Sequence, residues 1–324
     1  MADELTIALM AEENVIQGSG VAECLIDLAR TTVLYGTAHV DNPLSISQEL
    51  AAAQASKAFT LRTLFGIPGS SLTKPSQGQV GFLRGDAIPP SPGGQMQYAV
   101  TPVTAKHNLR RIKPVVQGIP KTFNAVSTET YLSWDPEVRV HLTFPNLNWI
   151  PAHTDRLILR GAESDNPMIW PFGNDIAAGH QIRSYTQGVT SADGSYERVG
   201  PSFNFEVGQR IGIAVLSEHA PTRITASYNP ENPSLYREDT LKRVFGEPNN
   251  VNIYTGKILL VGESHFEHDI NTFTGCSGAI IFLLDTEQPS SVTPHDYGTA
   301  IAVHAGSHPT LRTRNLAFKI SQLT

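Results

Sequence analysis

The sequence predicts a mostly β protein built of antiparallel barrels, preceded by a helical N-terminal segment. Three observations carry that expectation. From residue 79 onward, short alternating or continuously apolar runs are separated by turn residues. The 324 residues include 26 glycines and 22 prolines, a turn-rich composition. No regular strand–helix alternation appears, which argues against a doubly wound sheet.

The helical expectation covers residues 1 to about 65. Val21, Leu25, Ile26, Leu28 and Ala29 recur at helical spacing within Gly20 to Ala38. A second helix is expected to start at Ser45, after Pro43, where Ser45 and Gln48 match a capping box. The Ala- and Leu-rich run from Glu49 to Phe65 has no breaker until Gly66 and Pro68. Gly- and Pro-rich stretches then bracket a short strand candidate, Gln79 to Leu83, and the domain boundary is set near 76. Residues 1–75 are thus a helical segment with a linker, and residues 76–324 the β domain. Strands are expected at Gln97–Thr104, Val138–Phe144, Arg156–Arg160, Arg210–Leu216, Gly256–Val261, Ala279–Leu284 and Gly298–Ala305.

Composition excludes several function classes. Hydrophobic residues make up 40% of the chain, ample for a core, and charged residues 17%. With 24 basic against 30 acidic residues the net charge is -6, so nothing draws the whole chain to nucleic acid or an anionic membrane. The wholly apolar run Ala279 to Leu284 falls far short of the ~20 residues needed to span a bilayer. The acidic start Met-Ala-Asp-Glu-Leu is unlike a secretory signal, and two cysteines, Cys24 and Cys276, fit a reducing compartment. The expectation is a cytoplasmic or otherwise intracellular protein.

The chemistry concentrates in Asn271-Thr-Phe-Thr-Gly-Cys-Ser-Gly-Ala-Ile-Ile-Phe282, which holds Gly275-x-Ser277-Gly278 ahead of an apolar strand. With Gly and Ser each at ~7%, such a tetrapeptide arises by chance in roughly a tenth of chains this long. Its physics suits acyl transfer. A serine nucleophile needs backbone N–H groups aimed at the developing oxyanion. Gly275 lets the chain turn tightly enough to offer one beside that of Ser277, and Gly278 relieves crowding behind it. Ala279 at the last position rules out the G-x-S-x-G elbow, which points to a β-barrel form of the triad. A serine also needs a base within reach. Among 11 histidines, His107 stands at the end of the apolar strand Tyr98-Ala-Val-Thr-Pro-Val-Thr-Ala-Lys-His107. His39, in a similar-looking run, lies in the segment expected to be helical and is set aside.

Together these segments resemble the trypsin/chymotrypsin-like serine peptidases. That family joins a Thr-Ala-x-His strand end, here Thr104-Ala-Lys-His107, to a later Gly-x-Ser-Gly turn, here Gly275-Cys-Ser277-Gly-Ala. Gln79-Val-Gly-Phe-Leu-Arg84 is similar to its first barrel strand, Val207-Gly-Gln-Arg-Ile-Gly-Ile-Ala-Val215 to the opening of its second barrel, and Ala300-Ile-Ala-Val-His304-Ala-Gly306 to the strand after the nucleophile. The resemblance spans roughly 76 to 324. It implies two six-stranded antiparallel barrels with the site between them, and peptide-bond hydrolysis without a metal or cofactor. By position, Ser277 is the nucleophile, His107 the general base and acid, and Gly275 and Ser277 the oxyanion-hole amides.

For the orienting acid, Asn174-Asp175-Ile-Ala matches the first three positions of the family's Asp-Ile-Ala pattern. Asp155-Arg-Leu-Ile-Leu matches its apolar positions. Asp175 is preferred and Asp155 is the alternative. Cys276 occupies a position where the family carries Asp or Asn, and some relatives use a cysteine nucleophile. With Cys276 as nucleophile, Thr274 would stand where the motif needs Gly. The pocket of glutamyl endopeptidases has a Thr five before the nucleophile and a His on the following strand; here these are Thr272 and His304, with Gly306 opening the pocket wall. This implies a preference for substrate Glu or Gln, and Asn271 does not support Lys or Arg.

Two other readings remain. His265-Phe-Glu267-His268-Asp269 gathers metal-ligand types but no zinc spacing, and a solvated loop is expected there. The chain could also be an inactive peptide-binding or scaffold protein. The N-terminal helices carry no motif; a docking surface for a protein partner, a gate over the cleft or a removable prosegment are the options.

Overall fold

The computed structural model describes residues 33–34, 46–66, 73–90, 92–114, 120–132, 175–183, 189–216, 244–246, 251–308 and 313–323. These form two antiparallel sheets. The first contains β2 (Phe59–Gly66), β3 (Thr73–Ile88), β4 (Gln97–Thr104), β5 (Arg110–Pro114), β6 (Pro120–Leu132) and β7 (Ala177–Ala178), in the order β5-β6-β2-β3-β4-β7. The second contains β1 (Val33–Leu34), β8 (Arg210–Leu216), β9 (Val251–Val261), β10 (His265–His268), β11 (Ile280–Leu283), β12 (Ala300–Ser307) and β13 (Asn315–Lys319). Its order is β1-β9-β10-β13-β12-β11-β8, and β8 pairs back onto β9, so β8 to β13 close a six-stranded barrel. A closed barrel leaves no free edge within its ring. Among the described residues the second sheet is a closed barrel and the first a six-stranded sheet without a closing pair, an arrangement consistent with the expected trypsin-like double-barrel fold.

Strand β8 shows why the apolar runs are continuous rather than alternating. Its Ile211, Ile213 and Val215 fill the barrel interior with Ile258, Phe266, Phe273 and Ile281. Its Ala214 and Leu216 face the other way, into a second core between the sheets. The same division runs through β11, with Ile281 and Leu283 inside the barrel and Ile280 and Phe282 at the seam. A strand buried on both faces reads as unbroken hydrophobic sequence. The first sheet has its own core of Phe59, Leu61, Val80, Phe82, Val100 and Leu109. Gly81 brings the sheets together: a Cβ there would lie 2.1 Å from Cγ1 of Ile280.

The N-terminal region corrects several expectations. Among the described residues of this region one helix is present, α1 (Gln48–Ala55); its N-cap is Ser47, whose Oγ accepts from Leu50 N–H at 3.2 Å, two residues later than the predicted cap. The run predicted to stay helical through Phe65 turns at Ser56 and Lys57 and continues as β2. Thr60 and Thr63 in Phe-Thr-Leu-Arg-Thr-Leu-Phe are β-branched and favour the pleated strand. Position 76 lies inside β3, paired with Thr63 of β2. Val33 and Leu34, also predicted helical, pair with Ile253 and Asn252 of β9. Ile46, Ala51, Ala55 and Ala58 pack into the core between the sheets, so this segment is part of the fold. The strands predicted at Val138–Phe144 and Arg156–Arg160, and His39, lie outside the described residues.

Candidate active site

Strand β4 ends at Thr104, and a 3-10 turn, Lys106–Asn108, follows at once. Strand β7 pairs with the end of β4, Thr104 opposite Ala177 and Val103 opposite Ala178. That register brings Asp175 alongside the 3-10 turn. One carboxylate oxygen accepts the backbone N–H of His107 at 2.9 Å, and the other lies 2.6 Å from the ring Nδ1. Asp175 is fully buried, while 28% of the His107 side chain is exposed. A buried carboxylate needs hydrogen-bond donors, and the backbone and ring N–H groups of His107 serve it here. The contact fixes Nδ1 as the protonated nitrogen and leaves Nε2 as a proton acceptor. Asp155, the alternative acid, lies outside the described residues.

Ser277 stands in the turn between β10 and β11. Gly275 and Gly278 on either side have φ of +110° and +95°, values that disfavour any residue with a Cβ. The turn is held from the first sheet: Gln79 N–H and Asn108 Nδ2 both donate to the Ser277 carbonyl, each at 2.8 Å. Asn108 directly follows His107, so the histidine turn and the serine turn meet at the seam. The Ser277 hydroxyl donates to the Ala305 carbonyl at 3.3 Å. The N–H groups of Gly275 and Ser277 donate to no partner among the described residues. Cys276 points the other way, fully buried in the barrel core with Phe273 and Ile281, where a thiol is screened from substrate.

Beyond the serine, β12 carries His304, Ala305 and Gly306. Pairing with β13 shifts register between His304 and Gly306, a bulge that places Ala305 opposite Ser277. Gly306 has φ of +130°. His304 is fully buried, with Nδ1 3.2 Å from Nε2 of His268 on β10. Thr272 is fully buried too, and its Oγ1 accepts from Asn315 Nδ2 at 2.8 Å. Asn315 sits opposite His268 in the β10–β13 pairing, and His304 opposite Ala317 in the β12–β13 pairing. Adjacent strands therefore collect His304, His268, Asn315 and Thr272 in one layer.

The segment expected as a solvated loop, His265 to Asp269, is instead mostly strand β10, with Phe266, Glu267 and His268 buried. Phe266 fills the barrel interior, and Glu267 binds Arg314 Nη1 at 2.6 Å. Burial pushes the His265 imidazole below its ordinary value. Among the described residues no group of three or more His, Cys, Asp or Glu side chains is placed to hold a metal ion.

No protein-family model matches the sequence, and no curated protein sequence matches it. Solved structures do. A thermostable serine protease, AL20, from an extremophilic microorganism has 13% identity and a TM-score of 0.43, with 82% of this chain and 92% of that one covered. The protease Anisep from Arthrobacter nicotinovorans has 13% identity and a TM-score of 0.42, covering 82% and 91%. A Glu endopeptidase has 9% identity and a TM-score of 0.44, covering 89% and 90%. At these identities and scores the likenesses transfer no residue role to this chain.

Sequence reasoning missed Asn108, Gln79, His268 and Asn315. Phe266 and His268 alternate as an inward pair on β10, so reading that segment as a strand would have turned His268 inward. Gln79 is a polar residue in the apolar run Gln79 to Leu83, a signal of a buried hydrogen-bonded side chain.

Proposed function

We propose that the protein is a serine endopeptidase that hydrolyses peptide bonds with Ser277, His107 and Asp175, and that its pocket prefers substrate Glu or Gln. The observation that carries this is the buried Asp175 carboxylate 2.6 Å from Nδ1 of a half-buried His107, on a turn tied to the serine turn. The N–H groups of Gly275 and Ser277, which donate to no partner among the described residues, supply the second requirement of acyl transfer, donors for an oxyanion.

In this reading a polypeptide substrate adds as an extended strand beside Gly306, where β12 runs on past its last pairing with β11 at Val303. The Ser277 hydroxyl leaves the Ala305 carbonyl by a side-chain rotation and gives its proton to Nε2 of His107 as Oγ attacks the scissile carbonyl carbon. The carbonyl oxygen becomes an oxyanion between the two N–H groups. Asp175 stays ionised and stabilises the imidazolium. The imidazolium then protonates the leaving amine, the C–N bond breaks, and an acyl-enzyme remains. Water, deprotonated by His107, attacks the ester and restores Ser277.

The Thr272 hydroxyl, whose oxygen already accepts from Asn315, has its hydrogen left to donate. His304, backed by His268, supplies an imidazole. Two such donors match the side-chain oxygens of Glu or Gln. A peptide-library cleavage profile tests the reading. The expected result is cleavage after Glu or Gln that disappears in Ser277→Ala. Peptide binding without cleavage by the wild-type protein would instead support a peptide-binding module.

A further inference from the structure

We propose that Gln79, Thr104 and Asn108 form a buried polar clasp that sets the separation of the His107 turn from the Ser277 turn, making Asn108 and Gln79 positioning residues of the hydrolase. The inference rests on the reading of His107 and Ser277 as base and nucleophile, and goes beyond it to what keeps them in register.

All three side chains are buried: Gln79, Thr104 and Asn108 belong to the seam between the sheets. Asn108 Nδ2 donates to the Ser277 carbonyl at 2.8 Å and to Thr104 Oγ1 at 3.0 Å. Thr104 Oγ1 donates in turn to the Gln79 carbonyl at 2.6 Å, and the Gln79 N–H returns to the Ser277 carbonyl at 2.8 Å. The Gln79 side chain reaches across the seam. Its Nε2 donates to the carbonyls of Gly275 and Leu216, both at 3.1 Å, and its Oε1 accepts Leu216 N–H at 3.3 Å. Both ends of the Gly275–Ser277 segment are thus held from the first sheet, by Gln79 of β3 and by the turn that carries the base.

The backbone is shaped to admit this side chain. A Cβ on Gly78 would lie 2.3 Å from Asn108 Nδ2, and one on Gly278 would lie 2.8 Å from the same atom. Two glycines from different sheets clear the space for one amide. Buried polar groups must be hydrogen-bonded in any protein, so bonding alone would not distinguish a clasp from ordinary satisfaction. What distinguishes it is placement. The residue after the base donates to the residue that is the nucleophile, with no intervening element to absorb movement. Removing the Asn108 amide leaves the Ser277 carbonyl its bond from Gln79, so the carbonyl keeps a partner while the turn loses one of these three hydrogen bonds from the first sheet. Proton transfer is sensitive to such loosening, because a misplacement near 1 Å costs about a hundredfold in rate.

The test uses the full-length protein as wild type, Asn108→Ala, the near-isosteric Asn108→Asp, Gln79→Glu and the double variant. Three readouts are followed: thermal unfolding, the rate of Ser277 labelling by a fluorophosphonate, and hydrogen exchange at the Gln79 amide. The expected result for Asn108→Ala is cooperative unfolding, labelling slowed about a hundredfold, and faster Gln79 exchange. With a peptide substrate kcat falls while KM stays within about twofold, the signature of lost transition-state geometry. Asn108→Asp keeps the volume but puts an acceptor against the Ser277 carbonyl, and it should lose as much. The double variant should lose less than the product of the single losses, because both residues act on one turn. Labelling and kcat within about threefold of wild type, with unchanged Gln79 exchange, would overturn the proposal. If the wild type itself is not labelled, the hydrolase reading fails, and exchange alone decides the clasp: faster Gln79 exchange in both Asn108 variants supports it, unchanged exchange overturns it.

Discussion

Replacing Asp175 with Asn changes one atom and inverts the chemistry of His107. The wild-type carboxylate accepts from the His107 backbone at 2.9 Å and from its ring Nδ1 at 2.6 Å. In Asp175→Asn the amide oxygen can keep the backbone bond. The amide nitrogen, a donor, then faces Nδ1 and requires that atom to be an acceptor. The ring proton moves to Nε2, which can no longer take a proton from Ser277. The loss of a triad carboxylate in this manner costs about 10⁴ in kcat, which corresponds to about 5.4 kcal/mol at 1.36 kcal/mol per tenfold. Stability falls less. One charge-assisted hydrogen bond is lost, about 1.5–3 kcal/mol, against the roughly 5–15 kcal/mol that holds a typical domain. The variant should therefore fold and yet be nearly inert. Fluorophosphonate labelling rates report the chemistry, and ¹⁵N-histidine spectra report the tautomer directly. Labelling within tenfold of wild type, or a His107 ring still protonated at Nδ1, would refute the assignment of Asp175 as the orienting acid.

Three further outcomes follow from the same structure. Lys57, 5.2 Å above the Tyr196 ring, is pushed down from 10.5 to about 8, first by burial and then by Arg84, against smaller opposing effects of Asp193 and Glu197. The unfolded chain binds this proton more tightly, so the lysine destabilises the fold at pH 7 by about 3 kcal/mol. That penalty fades as pH rises from about 8 to 10.5, and urea titrations across the window should find Lys57→Met more stable at pH 7 with the advantage shrinking toward pH 10.5. Gly278→Ala puts a Cβ 2.0 Å from the Gln79 carbonyl oxygen and 2.4 Å from Thr104 Oγ1, at a φ of +95°. It should lower unfolding free energy by about 3 kcal/mol or more in urea, from strain and overpacking together. His304→Leu removes the pocket imidazole; kcat/KM for a Glu substrate should fall about tenfold to a hundredfold, the value of a hydrogen bond to a charged group, with far less loss on an Ala substrate.

How much of this was legible in the sequence depended on which force shaped each segment. Strands β4 and β8 were predicted with their observed ends; β8 lies between two cores, and that double burial writes a continuous apolar run. Strand β2 was hidden by its join to α1: no Gly or Pro separates them, and only the β-branched Thr60 and Thr63 mark the change. Strand β10 was hidden by its charge, since Glu267 and His268 look solvated until barrel closure buries them against β9 and β13. In the site, His107 and Ser277 were picked out by short local patterns. Asp175 could be narrowed only to one of two aspartates, because its partnership with His107 arises from the β4–β7 register across 68 residues. Asn108 stands in no motif, and the strand segment that Gln79 opens does not say what its side chain binds; their bonds to Gly275 and Ser277 form across the seam, long-range contacts that spacing along the chain does not encode.

The central claim is that the Ser277 hydroxyl is the nucleophile, activated by His107. Mass spectrometry of the fluorophosphonate-treated protein tests it most directly. The expected result is a single adduct on Ser277, abolished in Ser277→Ala and slowed by orders of magnitude in His107→Ala. An adduct elsewhere, or none on a folded wild-type protein, would contradict it.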